Sequence, residues 1–498
     1  MPYVIGVDIG SSAAKVGLLR LDGDLVASAS SGYPTSEPLP GHKEQDPAEW
    51  WAALVTGIRR VSHGIGAEEI LALGAAGHIS SFTFVDGDGL PLRPSVGFQD
   101  QRAVSEIEEI DSAFSRKEIA AQLGIDLPPA ATWPLPKLLW FKKHEPATLE
   151  RARHLLQAKD FINFRLTGEF ASDLSSNRGM VDLSTGRAPE TLFAKLGLRT
   201  DLLPPLRPPE ETIGSISAQA ARETGLREGL PVVTGWNDLN ACVLGSGAVQ
   251  TGDAFNITGT SEHIGAVTGD RPEARELVCA PFLPGRRLLY GPTSCGGGSL
   301  EWYSGLSGRP IDDLVALAEG IPSASQGLLF LPYLEGERAP LWDPHATGAF
   351  LGLRTIHRQG HLVRAILEGV ALGLHQILEI VKRHARLGDG PLVISGGAAR
   401  VGLWNQIKAD VLERPVTVTR TFQAGILGAG MLAAVAARAM RDPLEAAGAM
   451  ARVAGSFAPV PKNVERYRIC YSRFLDAYPA LREISARLHA DLLGTGPT

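Results

Sequence analysis

One hairpin occurs twice in this chain. Residues 6–19 read GVDIGSSAAKVGLL and residues 253–267 read DAFNITGTSEHIGAV. Each is an apolar run, a small Gly/Ser/Thr turn and a second apolar run, the pattern of two strands joined by a tight turn. Aligning Gly10-Ser11-Ser12 with Gly259-Thr260-Ser261 sets Asp8 against Ile257, so only the first copy carries a carboxylate. At 498 residues the chain exceeds what one core supports. The repeat therefore predicts an α/β fold of two duplicated domains, 1–250 and 251–498, with an interdomain cleft. The boundary falls near Val249–Gly252, where no Ser/Gly- or Pro-rich linker intervenes, so a tight interface is expected.

Composition removes several function classes. Net charge is −6 and spread without long like-charge blocks, which argues against nucleic acid or an anionic membrane surface as partner. Cys242, Cys279, Cys295 and Cys470 show no CxxC pairing and read as reduced thiols of a cytoplasmic protein. Asp8 interrupts the first apolar run, so no secretory leader is expected. The longest apolar stretch, GILGAGMLAAVAARAM (425–440), is short, rich in small residues and holds Arg438. It reads as a buried helix rather than a membrane span.

Between the hairpins, PAEWWAALVTGIRRV (47–61) has helical spacing, with Trp51, Leu54, Val55 and Ile58 on one face. Trp50 and Trp51 are read as core and rim of that helix. ILALGAAGH (70–78) is a strand ending at a polar turn, and SFTFVDGDGLPL (81–92) is a further hairpin. LPVVTGWNDLNACVLGSG (230–247) is a buried strand followed by a helix, with its polar residues at the junction. Downstream, 361–384 is a long amphipathic helix, 390–416 is strand, Gly-Gly turn and helix, and helices are expected over 424–441 and 464–492.

The turns suggest phosphate chemistry. Glycine lets the backbone approach a ligand, and turn N–H groups and hydroxyls can bind phosphate oxygens. A strand rather than a helix follows each turn, which separates them from P-loop and dinucleotide motifs. Small residues between strands are commonly no more than hairpin turns. Two copies at matching places favour a polyphosphate. One divalent cation, usually Mg²⁺, would need only one or two carboxylates, and Asp8 is placed to supply one. Lys15 on the next strand could offset phosphate charge. Asp238 lies where strand gives way to helix, the end of an α/β strand at which ligands gather. The positive helix end favours its carboxylate. An N-cap role is the plain alternative there.

These segments resemble the FGGY carbohydrate kinases, of the actin-like ATPase (ribonuclease H-like) superfamily. GVDIGSSAAKVGLL is similar to the family's first phosphate motif, and GWNDLNACVLGSGAVQTGDAFNITGTS to its catalytic segment and second phosphate motif. EQDPAEWW, LPKLLWFKKHEP and KDFINFRLTGEFASD resemble landmarks of its xylulokinases. GLLFLPYLEGERAPLWDPHATGAFLGL, LEGVALGL and SGGAARVGLWNQIKADVLERPV resemble its C-terminal signature and adenine-side motif. The resemblance implies transfer of the γ-phosphate of ATP to a small sugar or polyol, with D-xylulose first, and Mg²⁺ near Asp8. Asp238 would be the catalytic base. Ser11, Ser12 and Lys15 would face the transferred phosphate, Gly259 and Thr260 the nucleotide phosphates, and Gly396, Gly397 and Ala398 the adenosine. Other ketoses, polyols and sugar acids stay open, as does a homodimer. An actin-like ATPase acting on a protein partner is the alternative of another class.

The sugar side departs from the xylulokinase pattern. The usual Gly-Gln-Met-His-Gly is Gly77-His78-Ile79-Ser80-Ser81, and the usual Trp-Asn-Asp-x-Arg is Phe98-Gln99-Asp100-Gln101-Arg102. Leu239 follows the catalytic Asp where a polar amide is usual. Losing a polar partner changes sugar preference strongly. His78 reads either as a packed turn residue or as a new contact to sugar or phosphate. Gln99, Asp100 and Arg102 either bind hydroxyls or hold their loop by an ion pair. His263 and Trp133 fall where the family places pocket residues, and an ordinary packed Trp is an equal reading of the second. Glu337 and Arg338 are expected to fix the interlobe loop.

Overall fold

The computed structural model describes residues 1–126 and 130–492. Strands β1 (Tyr3–Ile9) and β2 (Ala13–Arg20) form the first hairpin, with Asp8 opposite Lys15. β3 (Leu25–Gly32) adds antiparallel to β2, and β4 (Ile70–Gly77) adds parallel to β1. With β5 (Thr212–Ser215) and β6 (Pro231–Val233) the order is β3-β2-β1-β4-β6-β5, and the short β7 (Trp236–Asn237) also pairs with β4. The second hairpin, β8 (Ala254–Thr258) and β9 (Glu262–Thr268), lies in a sheet of the same plan. β10 (Val278–Pro281) and β11 (Arg287–Pro292) lie beyond β9. β12 (Leu392–Gly396) runs parallel to β8, then β13 (Val416–Thr419) and β14 (Val453–Phe457) follow. In both sheets a hairpin is followed by an antiparallel third strand and flanked by two parallel strands and an antiparallel edge. The duplication expected from the two turns extends to the whole sheet.

Helix α1 (Pro47–Val61) begins on Asp46, whose side chain accepts from Ala48 N at 2.8 Å, with Pro47 in its first turn. Trp50, Leu54 and Ile58 are fully buried with Ile5, Val7 and Val16 of the sheet. Trp51 sits at the rim, its indole N–H on Glu223 at 2.5 Å. Glu44–Gln45, Phe82–Val85, Ser95–Val96 and His154–Gln157 form a four-stranded sheet of their own. The expected hairpin over 81–92 turns at Asp86, and Leu92 N returns to Phe84 O at 2.9 Å. α2 (Pro134–His144) and α3 (Asp238–Ser246) follow in the first unit. In the second unit, α4 (Gly297–Ser307) follows β11, and α5 (Gln359–His384) buries Val363, Ile366, Leu367, Val370 and Ile377. α6 (Gly402–Val411) follows β12.

The next helix, α7 (Ala424–Ala436), departs from two contiguous halves. Residues 423–452, with 280–282, belong to the first compact unit, and 250–279, 283–422 and 453–498 to the second. α7 is apolar all round, buried from Ala424 through Ala434, and such a helix has no solvent face. It lies on strand glycines. A Cβ on Gly6 would stand 2.0 Å from Ile426 O, and one on Gly74 2.2 Å from Ala429 O. Gly245 of α3 and Gly428 of α7 allow the same closeness between the two helices, at 2.1 and 1.9 Å. Helix and sheet therefore touch backbone to backbone. Gly6→Ala should force them apart and lower stability by about 3 kcal/mol, read from the midpoint of urea unfolding. A change below about 0.5 kcal/mol would contradict this packing account. α8 (Pro461–Leu492) ends the described chain.

Candidate active site

The carbonyls of the first turn are occupied. The Tyr33 hydroxyl donates to Gly10 O, Gln45 Nε2 donates to Ser11 O at 2.7 Å, and Tyr33 N donates to Ser12 O at 3.1 Å. Gly10 N closes the hairpin on Ala13 O at 3.0 Å. Ser11 and Ser12 are exposed, and Lys15 is exposed on the strand behind them. Two exposed hydroxyls and an ammonium beside a tight turn are groups able to take an anion.

Asp8 lies beneath that turn, half-buried. Burial pushes its carboxyl up to about 6, Asp238 adds to the rise, and Lys15 and His78 oppose it. The four side chains thus share one electrostatic neighbourhood. Cys242, one turn along α3, feels the same charges, and its thiol is driven well above the usual range, chiefly by burial. α7 closes the floor: a Cβ on Gly425 would stand 2.9 Å from Asp8 Oδ2. Asp238 is the first residue of α3, but it is not the cap. Asn237 is, accepting from Asn240 N at 2.9 Å. Asp238 Oδ1 accepts from Leu239 N at 2.7 Å, and Leu239 itself is buried. A carboxylate whose pKa is raised by burial suits a divalent cation. Among the described residues no cluster of three or more His, Cys, Asp or Glu could cage an ion. Mg²⁺ commonly takes one or two carboxylates and completes its shell with water and phosphate, so Asp8 fits that role.

A pocket beside the turn is lined by Ser11, Thr35, Lys43, Gln45, His78, Ser81, Gly97, Phe98 and Gln99. Half-buried Ile79 and Ser80 form the bend between His78 and Ser81, with Ser80 at a φ of +62°. Lys137 of α2, fully buried, holds that bend by donating to Ser80 O at 3.2 Å and to Gly97 O at 2.7 Å. Asp100 serves its own loop. It is fully buried, its Oδ1 accepts from Arg102 Nε at 2.8 Å, and its Oδ2 accepts from Lys43 N at 2.7 Å. Arg102 also reaches Glu44 at 2.6 Å. Of the two readings offered for Asp100 and Arg102, the structure gives the ion pair. Trp133 immediately precedes α2 and packs by Gly179.

In the second unit the turn is one residue shorter. Ile9 pairs with Ala14 across four residues, whereas Thr258 pairs with Glu262 across three. Two of its carbonyls are occupied as well. Gly297 N of α4 donates to Gly259 O at 2.9 Å, and Gly296 N and Gly298 N donate to Thr260 O at 2.7 and 2.9 Å. The Gly296-Gly297-Gly298 run is required, since a Cβ on Gly297 would meet Gly259 O at 2.7 Å. Thr258 pairs with Gly396, which sets the turn and Gly396-Gly397-Ala398 at one end of adjacent parallel strands. Gly396 has a φ of +106°, and a Cβ there would lie 2.0 Å from Thr258 O. Ile257 pairs with His263 where the first hairpin pairs Asp8 with Lys15. Glu262 is buried on Lys408 at 2.7 Å and Asn256 at 2.9 Å. Glu337 is buried too and accepts from Ser294 N and Arg338 N at 2.7 Å each, as expected of a residue that fixes a loop.

Residues 3–245 match the N-terminal domain, and residues 254–437 the C-terminal domain, of the FGGY family of carbohydrate kinases. The chain belongs to the FGGY family of carbohydrate kinases. Xylulose kinase of Escherichia coli is 32% identical over 450 residues, covering 89% of this chain and 91% of that protein. Gluconokinase of Bacillus subtilis is 28% identical over 494 residues, covering 95% of each chain. Ligand-bound xylulose kinase from Lactobacillus acidophilus superposes with a TM-score of 0.89 at 26% identity, covering 98% of this chain and 100% of that one. The kinase has the two-domain actin-like ATPase fold and is a phosphotransferase acting on a sugar hydroxyl. Kinases of this family use ATP. Among the described residues no helix is long and apolar enough to cross a membrane.

Reasoning from sequence missed the residues that aim the kinase's turns. Tyr33 and Gln45 act from outside the hairpin, and Gly296–Gly298 act from a helix N-terminus. A signal existed for Gln45, since it falls in the EQDPAEWW landmark. Its amide is shared between Ser11 O, Thr35 Oγ1 and the Trp50 indole, so one side chain joins turn, pocket and core.

Proposed function

We propose that this kinase transfers the γ-phosphate of ATP, bound with Mg²⁺, to a hydroxyl of a small ketose or polyol, with D-xylulose the first candidate. The observation that carries the reading is shared by both hairpins: protein donors occupy turn carbonyls, while Ser11 and Ser12 in one turn and Gly259 and Thr260 in the other stay exposed. In this reading Ser11, Ser12 and Lys15 bind the transferred phosphoryl group, and Gly259 and Thr260 bind the nucleotide phosphates. Gly396, Gly397 and Ala398 pass close beneath the adenosine. Asp8 would hold Mg²⁺, which commonly keeps phosphate oxygens and water as its other partners. The metal, when bound, neutralises charge on the phosphates. His263 matches Lys15 in register, and we assign it to the phosphate side rather than the sugar.

Asp238 accepts the proton of the sugar hydroxyl as that oxygen attacks. Its carboxylate is steadied by Leu239 N, and because Asn237 caps α3, Asp238 is spared that duty. A strong base is not required, since positioning and charge neutralisation dominate phosphoryl transfer. His78, Phe98 and Gln99 contact the sugar, while Ile79 and Ser80 shape the bend that presents His78. Leu239 packs beneath the base. The enzyme works in the cytoplasm, where ATP is available.

A coupled ADP-release screen over D-xylulose, xylitol, erythritol, D-ribulose, D-fructose and D-gluconate tests this reading. At least one should raise the rate about a hundredfold or more over ATP alone, because closure on the sugar is needed to exclude water. Equal ATP hydrolysis with and without every sugar would overturn it and favour an ATPase serving another partner.

A further inference from the structure

The pocket holds one imidazole whose proton position the backbone has already decided. His78 Nδ1 lies 2.8 Å from Ile9 O. A carbonyl can only accept, so the ring proton sits on Nδ1 and Nε2 keeps its lone pair. His78 N donates to the same oxygen at 3.0 Å, which pins the residue twice. The ring stands edge-on to Trp50, with centroids 6.2 Å apart, and lies 6.4 Å from Phe98. Burial, more than any neighbour, holds the ring below the usual imidazole range, which keeps it neutral. Among the described residues no protein donor meets Nε2, and His78 lines the pocket.

The neighbouring hydroxyls have the opposite polarity. Ser81 Oγ accepts from Phe98 N at 2.8 Å, and Thr35 Oγ1 accepts from Gln45 Nε2 at 2.8 Å. Their own protons are what they have left to give. The wall therefore offers an acceptor at His78 and donors beside it. A sugar hydroxyl satisfies both, because it gives one hydrogen bond and takes others. A carboxylate only takes, and would meet the Nε2 lone pair with its own.

We infer that His78 Nε2 is a fixed hydrogen-bond acceptor that reads a substrate hydroxyl and disfavours a carboxylate at that position, so the pocket takes neutral ketoses or polyols rather than aldonates. The inference rests on the kinase reading above and narrows its substrate class.

The test uses the full chain labelled with [15N]histidine, with the His78 signal identified by its loss in His78→Gln. The expected spectrum at neutral pH is the Nδ1–H tautomer. Its Nε2 shift should move when D-xylulose or xylitol is added with MgADP, and not with D-gluconate. In kinetics on the best sugar of the screen, His78→Phe should raise the sugar KM about tenfold or more and leave the ATP KM within about twofold. His78→Gln should recover most of the loss, since its amide oxygen accepts. A proton on Nε2, a charged ring, or D-gluconate used and sensed as well as D-xylulose would each overturn the inference while leaving the kinase reading intact. If no sugar accelerates ADP release, the kinase reading fails, and the tautomer still decides whether His78 is a fixed acceptor.

Discussion

Asp238→Asn should bind ATP with an affinity within about threefold of the parent and turn over about a thousandfold more slowly, the scale of a lost general base. The substitution keeps size and keeps an oxygen for Leu239 N, so the local hydrogen bond of 2.7 Å can persist. Stability should hardly move, because the cap of α3 is the neighbouring side chain. Asn237→Ala supplies the contrast. It removes the acceptor for Asn240 N, and it frees Ser175 Oγ from a 2.8 Å bond with Asn237 Nδ2. It should cost about 1 kcal/mol of folding stability. Titration calorimetry with ATP, steady-state kinetics and urea unfolding on both variants separate the roles. Near-normal turnover in Asp238→Asn would remove Asp238 from the chemistry. A large stability loss there would make it a structural residue.

Asp8→Asn should be more stable than the parent at pH 8 and nearly inactive. The folded carboxyl titrates near 6, above its unfolded value of 3.8, so the folded chain favours the protonated form. That preference stabilises the fold fully below the unfolded value and is lost as pH rises through about 6. Above that the ionised group is a burden of about 3 kcal/mol in the absence of a cation, since each pKa unit corresponds to about 1.4 kcal/mol. An amide carries no such burden. Urea unfolding at pH 8 should show the gain, and the gain should vanish by pH 4. Turnover should fall about a hundredfold or more, the usual scale for lost charge stabilisation at a reacting centre. The extra stability that MgATP gives the parent over ATP with chelator should shrink in the variant. A variant less stable than the parent at pH 8 would refute this reading of Asp8. Stability surrendered at a working site is a familiar trade.

The hairpins were legible because turn chemistry is local. Gly-Ser-Ser and Gly-Thr-Ser between apolar runs announce themselves within a few residues, and the alignment of Asp8 with Ile257 holds in the strand register, where each sits two residues before its turn. The one-residue difference in turn length was not legible, because the paired register depends on what the turn leans against. In the second unit that support is the N-terminus of α4. The placement of α7 was hidden for a related reason. An apolar helix without a polar face signals burial but not which sheet buries it, and the answer lay in glycines at 6 and 74, far away in sequence. At Asp238 the residue type suited both cap and base, and the Asn237 bond to Asn240 removes the cap. Asp100 shows the converse. Its family position suggested a sugar contact, but both its oxygens are committed within the fold, to Arg102 and to Lys43 N.

The most direct test of the account is the position of Mn²⁺, substituted for Mg²⁺, in crystals of the kinase with a non-hydrolysable ATP analogue. Anomalous scattering should place one ion beside Asp8 and none beside Ile257, with phosphate oxygens on the N–H groups of Ser11 and Ser12 and on those of Thr260 and Ser261. An ion away from Asp8, or phosphates that touch neither turn, would contradict it.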